Sequence, residues 1–130
     1  MSHKIGILTY HDGFNHGGYF QAYFLQEYLK SKGHNVFILN YKNFSHFVNE
    51  YRYFLFKINF SKMNKKIVKI LSFYRDQSKF NKVPYRITFS KKKLSAIASK
   101  FDYIIVGSDI VWDYDYKFTG PNNIYFGEYL

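Results

Sequence analysis

The apolar positions at the start of the chain follow first the spacing of a strand and then that of a helix. Lys4 to Thr9, KIGILT, is a short, partly β-branched run that ends in turn residues, which is typical of a buried strand. From Gly17 or Gly18 to about Ser31 the apolar side chains recur with helical spacing. The positions predicted to face the core are Ala22, Leu25 and Leu29. The pattern therefore predicts a strand followed by an amphipathic helix.

A second strand is predicted directly after this helix. Gly33 follows the basic stretch LKSK, and a glycine at this point commonly ends a helix. Asn35 to Tyr41, NVFILNY, is the next strand-like run. Because a strand, a helix and a strand follow one another so closely, we predict that the two strands are parallel neighbours.

The rest of the chain predicts further helices and a third strand. Residues 42–90 are interpreted as a basic, aromatic, helical insertion, in which Pro84 ends whatever helix precedes it. The stretch SKKKLSAIASK predicts a helix with Ser90 as its N-cap. Tyr103 to Val106 is predicted as a strand buried on both faces, and Ser108 to Leu130 as a loop with at most one short element. The fold class is therefore α/β, with a parallel sheet of at least three strands flanked by helices.

Length and composition fit one globular domain. The 130 residues are 47% hydrophobic, which is enough for a core, and the absence of cysteine excludes disulfides and thiolate zinc sites. The first apolar run is too short for a signal peptide, and no stretch has the roughly 18 uninterrupted apolar residues of a spanning helix. We expect a cytoplasmic protein.

The net charge of +10 is unevenly distributed. Lys57 to Lys93 holds twelve Lys or Arg against one acid, whereas Asp102 to Leu130 holds five acids against one lysine. The basic segment suits contact with an anionic surface at the inner face of the membrane or with an acidic glycan, and it equally fits a solvated lysine-rich surface. No nucleic-acid-binding motif occurs, so no nucleic-acid partner is expected.

Two segments lie where open α/β sheets bind ligands, after the carboxyl ends of strands. They are the loop Tyr10 to Gly18 and the segment Ser108 to Asp113. The loop has neither the G-x-G-x-x-G spacing nor a Gly-Lys-Ser/Thr, so it matches no nucleotide-binding motif. Two interpretations stay open: its glycines admit a ligand to the helix N-terminus, or Asn15 caps the helix within a tight turn.

The histidines near this loop also have alternative interpretations. His11 and His16 titrate near neutral pH and suit acid–base or anion-binding roles, or they are simply exposed. A metal site formed by His11, Asp12 and His16 is disfavoured by the irregular spacing of these residues. His3, His34 and His46 are interpreted as ordinary surface residues.

Two blocks of the sequence, in this order and at this separation, resemble the polysaccharide pyruvyl transferase family. NHGGYFQAYFLQEYLKSKGHNVFILNY is similar to its first conserved block, with the matches Asn15, Gly17, Gln21, Ala22, Leu25, Gln26, Leu29, Gly33 and His34. FDYIIVGSDIVWD is similar to its second block, with the matches Asp102, Gly107, Ser108, Asp109, Val111 and Trp112. His16, Gly18 and Ile110 stand where that family usually has Tyr, Ala and Gln.

The resemblance implies a fold, a reaction and partners. The fold is a two-lobed, GT-B-like arrangement of Rossmann-like halves, of which this chain is the N-terminal lobe, and a second lobe holds most groups that bind the donor phosphate. The reaction moves the pyruvyl unit of phosphoenolpyruvate, a donor substrate rather than a cofactor, to a sugar of a capsule or other exopolysaccharide. The acceptor is a sugar or a lipid-linked glycan. By itself the chain is expected to be inactive.

The resemblance also suggests site residues. Asp109 and Ser108 are the catalytic candidates, and Trp112 is a candidate for stacking on a sugar. The other candidate substrate-binding residues are Asn15, His16, Gly17, Gly18, Gln21 and Gly107. For Asp109 a turn or capping role stays open, for Trp112 a role in core packing, and for Gln21 a structural hydrogen bond. The alternative function is that of a non-catalytic domain which docks through its basic segment.

Overall fold

The strands form one sheet in which all neighbours are parallel. The computed structural model describes residues 1–12, 16–56 (the backbone alone at 53–56), 67–68, 71–72, 75–107, 123–128 and 130. The strands are β1 (Lys4–Leu8), β2 (Asn35–Tyr41), β3 (Lys82–Thr88) and β4 (Tyr103–Val106). Their order in the sheet is β3-β2-β1-β4, and each pair of neighbours runs parallel. The fold is Rossmann-like α/β, which confirms the predicted class.

Two helices each have one terminus where the sequence places a cap, and the first helix begins at His16, just before the predicted Gly17 or Gly18. The helices are α1 (His16–Ser31), α2 (Phe44–Phe56), α3 (Lys91–Ala98) and a short 3-10 helix (Asn123–Phe126). The glycine after α1, Gly33, has a φ of +85°, a left-handed conformation that glycine adopts without strain. At the start of α3 the Ser90 hydroxyl accepts a hydrogen bond from the backbone N–H of Lys93 at 3.2 Å. The predicted caps of both helices are confirmed.

The core lies on both faces of the sheet because successive strand residues point to opposite sides. On one face Ile7 and Ile38 pack against α1 through Tyr19 and Ala22. The predicted apolar side of α1 is confirmed, since Leu25 and Leu29 also pack against this cluster. On the other face α3 and the 3-10 helix cover the sheet. The buried residues there are Leu8, Leu39, Tyr41, Leu94, Ile124 and Tyr125.

A buried amide on α1 fastens the chain that leads into β3. The Gln26 side chain is fully buried, and its Oε1 accepts a hydrogen bond from the backbone N–H of Asn81 at 2.9 Å. The Asn81 side chain in turn donates to the carbonyl of Val36 in β2 at 3.0 Å. These bonds satisfy a buried polar group and set where β3 begins beside β2.

The sequence predicted no strand between Tyr41 and Tyr103, and the structure corrects this. Lys82–Thr88 within the predicted helical insertion is β3, and Pro84 lies inside it. Pro84 is tolerated because β3 is at the edge of the sheet, where one side of the strand needs no partner. The prediction that β4 is buried on both faces is also wrong, since Tyr103 is exposed and the other three residues are half-buried.

No helix in the described part of the chain is both long enough and apolar enough to cross a membrane.

Candidate functional site

The two segments predicted to bind ligands follow neighbouring strands. The chain runs outward from β1 through β2 to β3 and then returns to the other side of β1 as β4, which makes the β1/β4 pair the topological switch point of the sheet. Leu8 pairs with Val106 at the last described position of both strands. We call the edge of the sheet where its strands end the carboxyl edge. The expected binding position of an open α/β sheet therefore lies between the starts of the two predicted segments.

Gly107 packs tightly against the neighbouring strand. It is buried, and its backbone N–H donates to the carbonyl of Leu8 at 2.8 Å. A Cβ atom at this position would lie 2.5 Å from the Cβ of Thr9, and it would also overlap the Thr9 hydroxyl. A glycine is needed here for close packing of β4 on β1, so this candidate has a structural role whatever else it does.

The start of α1 approaches the loop after β1 just as closely. A Cβ atom at Gly18 would lie 2.6 Å from the backbone carbonyl oxygen of Tyr10, which cannot move without shifting the loop. The other candidates on α1 surround this contact: His16 and Gly17 are exposed and Gln21 is half-buried. Of the five candidates that the structure describes, Gly18 and Gly107 thus both pack against residues just after β1, at the carboxyl edge, and the other three lie in the first turns of α1. The candidates Asn15, Ser108, Asp109 and Trp112 lie outside the described residues.

Replacement of Gly18 by alanine tests this close approach. An alanine in a helix normally gains up to about 1 kcal/mol over glycine, but overlap with a packed backbone costs about 1–3 kcal/mol. We expect Gly18→Ala to lower the free energy of unfolding by roughly 1–2 kcal/mol in denaturant titrations. Gly17→Ala, at an exposed position one residue earlier, is the control and should be neutral or stabilising. Equal stability of the two variants would contradict the contact.

His11 is not the exposed or titrating residue that the sequence suggested. It is fully buried, its Nδ1 lies 3.1 Å from the carbonyl oxygen of Thr9, and its Nε2 has no hydrogen-bond partner among the described residues. Burial lowers the pKa of His11 below its ordinary value, so the ring is neutral at physiological pH. The side chain of Gln77 donates to the His11 carbonyl at 2.6 Å and holds this part of the loop.

Sequence reasoning missed a buried group of three charged residues on the β2 side of the carboxyl edge. We call Asp12, Lys42 and Glu50 the ion triad. Lys42 follows β2 directly, and its Nζ lies 3.1 Å from Oδ2 of Asp12 and within a short hydrogen bond of Oε2 of Glu50. The Lys42 side chain is 3% exposed. Two carboxylates from a loop and from α2 thus share one ammonium group that is almost removed from water.

The charges of the ion triad support one another. Burial by itself would lower the pKa of Lys42, but Asp12 and Glu50 together raise it above its ordinary value. Burial likewise opposes the charge of Asp12, whereas the charge of Lys42 and its hydrogen bond favour it, so the pKa of Asp12 lies below its ordinary value. Lys42 and Asp12 are therefore both charged, and desolvation makes these buried charges unfavourable unless their contacts stay intact.

His46, on α2, is buried beside the ion triad, which contradicts its interpretation as a surface residue. The apolar body of its ring packs edge-on against Tyr10 at a centroid distance of 4.8 Å. Burial and then repulsion by Lys42 lower its pKa from 6.5 to about 4, although Asp12 acts in the opposite direction. His46 is thus neutral over the physiological pH range.

The buried His46 predicts an acid-sensitive fold. The pKa of His46 is lower in the folded state than in the unfolded state. Its neutral ring therefore contributes stability that is fully present above pH 6.5 and is lost as the pH falls to about 4. The shift corresponds to roughly 3 kcal/mol, and denaturant titrations across this range should detect the loss. His46→Gln should remove this part of the slope, and exposed His16→Gln should retain it. The same slope in both variants would contradict the assignment.

A cavity of about 250 Å³ opens beside the ion triad. It lies between α2, the ends of β1 and β2, and β3. Its polar lining comes from the ion triad together with Asn40, Gln77 and Lys82, and its apolar lining includes Phe47, Tyr51 and Tyr85. Within the described ranges no group of three or more His, Asp or Glu side chains is arranged to hold a metal ion.

One feature of the sequence could have indicated two of the residues around this cavity. Lys42 and Asn40 lie at the carboxyl end of β2, the same edge that drew attention to the other two segments. Three charged residues in separate elements, however, show no common spacing in the sequence. Comparison with protein-family profiles, with curated proteins and with solved structures finds no match to this chain.

Proposed function

We propose that this chain is the N-terminal, Rossmann-like lobe of a two-lobed enzyme of the polysaccharide pyruvyl transferase type. The observation that carries the proposal is the pairing of β1 with β4. The two sequence blocks that resemble this family are about 90 residues apart in the chain. The first block begins after β1 and the second contains β4, and Gly107 and Gly18 both pack against residues just after β1. This position is the one that open α/β sheets use for ligands.

The proposed reaction forms a pyruvate ketal. The methylene carbon of phosphoenolpyruvate accepts a proton, and a sugar hydroxyl adds to the resulting cationic carbon. The bond from that carbon to the phosphate oxygen then breaks, and a second hydroxyl of the same sugar completes the ketal. Of the two protons lost by the hydroxyls, one balances the proton taken up by the methylene and the other leaves with phosphate. Such a reaction needs an acid, a base and groups that stabilise negative charge.

Each candidate residue has a role within this proposal. Asp109 acts as the base towards a sugar hydroxyl, and Ser108 hydrogen-bonds the substrate. Asn15, His16 and the backbone N–H groups at the start of α1 bind the acceptor or the carboxylate of the donor. Trp112 stacks on a sugar face. The second lobe of the longer protein supplies most of the positive charge for the donor phosphate.

The competing proposal is a non-catalytic domain that docks on an anionic membrane surface or an acidic glycan. Lys91, Lys92 and Lys93 are all exposed at the start of α3, and the rings of Phe89 and Phe44, also exposed, lie 5.8 Å apart beside them. Adjacent cations and aromatic rings are typical of surfaces that bind at a membrane interface. This arrangement is compatible with an enzyme that works at the inner face of the membrane on a lipid-linked glycan.

Phosphate release separates the two proposals. The longest natural protein that contains this chain is incubated with phosphoenolpyruvate and the repeat unit of its own cell's polysaccharide. We expect phosphate release that depends on the glycan. Two results together would reject the enzyme and favour the docking domain. The protein would bind anionic vesicles in a way that salt abolishes, and it would release no phosphate with or without the glycan.

A further inference from the structure

The cavity beside the ion triad is separate from the β1/β4 position. It lies across β2 and β3 instead, and its lining includes none of the candidates that the structure describes, which are His16, Gly17, Gly18, Gln21 and Gly107. Its lining includes two tyrosines, Tyr51 and Tyr85, together with charged and amide side chains. A concave site of this kind, with a few convergent polar groups and buried ionised residues, is where a small ligand binds.

The charged groups around the cavity disfavour a charged ligand. Asp12 and Glu50 contribute two carboxylates, and Lys42 and Lys82 contribute at most two ammonium groups. With two carboxylates and at most two ammonium groups, the lining has no excess of positive charge. A phosphate or a nucleotide would add negative charge beside two carboxylates that the two lysines can at most balance, and a cation would meet Lys42. The balance of charge therefore favours a neutral ligand.

The hydrogen-bonding groups suit a ligand whose atoms both donate and accept. The carboxylates accept hydrogen bonds, the lysines donate them, and Asn40 and Gln77 can do both. The Asn40 amide donates to the Tyr85 carbonyl at 3.0 Å, and Lys82 donates to Oε1 of Gln77 at 3.4 Å, so the wall is held in place. Hydroxyl groups are the neutral groups that pair with carboxylates and ammonium groups alike.

The two tyrosines of the lining, both exposed, offer apolar ring faces. Tyr85, on the edge strand β3, is 87% exposed, and Tyr51 is 39% exposed with its ring 4.6 Å from that of Phe47. An aromatic ring so exposed gains by covering the apolar face of a ligand. Sugars combine such a C–H face with hydroxyls around the rim. A cavity of about 250 Å³ lies below the roughly 300–1,000 Å³ of sites for drug-sized molecules, so it suits one ring.

We propose that this cavity binds a single neutral sugar residue, with Tyr85 against the face of the ring and the ion triad and amides at its hydroxyls. The role of this sugar rests on the proposed function, because the bound sugar would be one unit of the acceptor glycan. The sugar unit that reacts would be another unit of the same glycan. The binding itself does not depend on pyruvyl transfer.

Saturation-transfer NMR on this chain, with methyl glycosides of glucose, galactose, mannose and N-acetylglucosamine as probes, tests the proposal. We expect at least one glycoside to bind and Tyr85→Ala to weaken that binding about tenfold. Tyr103→Ala removes another exposed tyrosine, on the opposite edge strand, and should change the affinity by less than about twofold. Both side chains are exposed, so neither variant should fail to fold.

The proposal is overturned if no glycoside gives a signal, if the two tyrosine variants bind equally, or if inorganic phosphate or phosphoenolpyruvate displaces the sugar. This result is independent of the phosphate-release assay. Glycoside binding that depends on Tyr85, together with no phosphate release by the longer protein, would keep the sugar site and reject pyruvyl transfer. Phosphate release by the longer protein without glycoside binding would keep pyruvyl transfer and reject the sugar site.

Discussion

Lys42→Met is expected to lower the free energy of unfolding by about 3–5 kcal/mol, because it leaves two carboxylates buried without a cation. The Lys42 Nζ contacts both Asp12 and Glu50, and its side chain is 3% exposed. Methionine retains most of the apolar stem, so the loss reports the charge rather than a cavity. Denaturant titration near pH 7 measures it. Lys92→Met, at an exposed position, is the control and should stay within about 0.5 kcal/mol of the wild type.

The deficit of Lys42→Met should also shrink in acid. In the wild type the pKa of Asp12 is lowered, so its contribution is present above its ordinary pKa of 3.8 and is lost as the pH falls through the folded value. Without Lys42, burial acts on Asp12 with less opposition, and its folded pKa is expected to rise above the ordinary value. The folded variant then gains stability by taking up a proton as the pH falls from neutral towards the ordinary Asp12 pKa of 3.8.

Two results would contradict this account of the ion triad. One is a loss no larger than that of Lys92→Met, which would mean that the carboxylates are solvated or that their contacts with Lys42 are dispensable. The other is a deficit that grows as the pH falls, since an unpaired buried carboxylate must become less unfavourable when it is protonated.

Asp109→Asn is expected to abolish turnover in the longest natural protein while leaving its fold intact. Asparagine has nearly the same shape but carries no charge and cannot accept the hydroxyl proton, and loss of a general base typically costs about 10²–10⁴ in rate. Phosphate release measures the activity, and the thermal midpoint measures the fold.

Asp102 provides a matched control for Asp109, because it precedes β4 at the opposite end of the strand. Its Oδ2 accepts a hydrogen bond from the backbone N–H of Lys4 at 2.7 Å, which the side-chain carbonyl of asparagine can replace. Asp102→Asn should therefore keep its turnover. Unchanged turnover in Asp109→Asn would reject the assigned role, and equal loss in both variants would point to a general effect on β4.

The sequence alone predicted the elements whose apolar pattern and capping residues agree with their burial in the fold. In β2, all seven residues were predicted, because the strand is buried on both faces and reads as a continuous apolar run. The ends of α1 and α3 were predicted from Gly33 and Ser90, since caps depend on nearby residues. Parallel pairing of the first two strands followed from the short crossover between them.

β3 could not be predicted, because an edge strand carries little of this signal. Most of its residues are half-buried or exposed, and Pro84 reads as the end of a helix rather than as part of a strand. Its place beside β2 depends on long-range contacts of Gln26 and Asn81, which have no signature in the sequence.

The sequence predicted the position of the candidate site, but it did not predict which of its polar and charged side chains are buried. Gly107 and Gly18 were expected at the carboxyl edge and lie there, for a reason that is steric and local. The burial of His11 and His46 was not predicted, because it depends on what other elements place around them. The ion triad likewise joins a loop, the residue after β2 and the middle of α2, and only the folded chain shows that they meet.

The identity of the reaction product tests the central claim most directly. The longest natural protein containing this chain is incubated with phosphoenolpyruvate and its own glycan, and the glycan is then examined by mass spectrometry and NMR. The account predicts a pyruvate ketal on one sugar of the repeat unit, with one phosphate released for each ketal formed. A glycan that stays unmodified, whether or not phosphate is released, would contradict it.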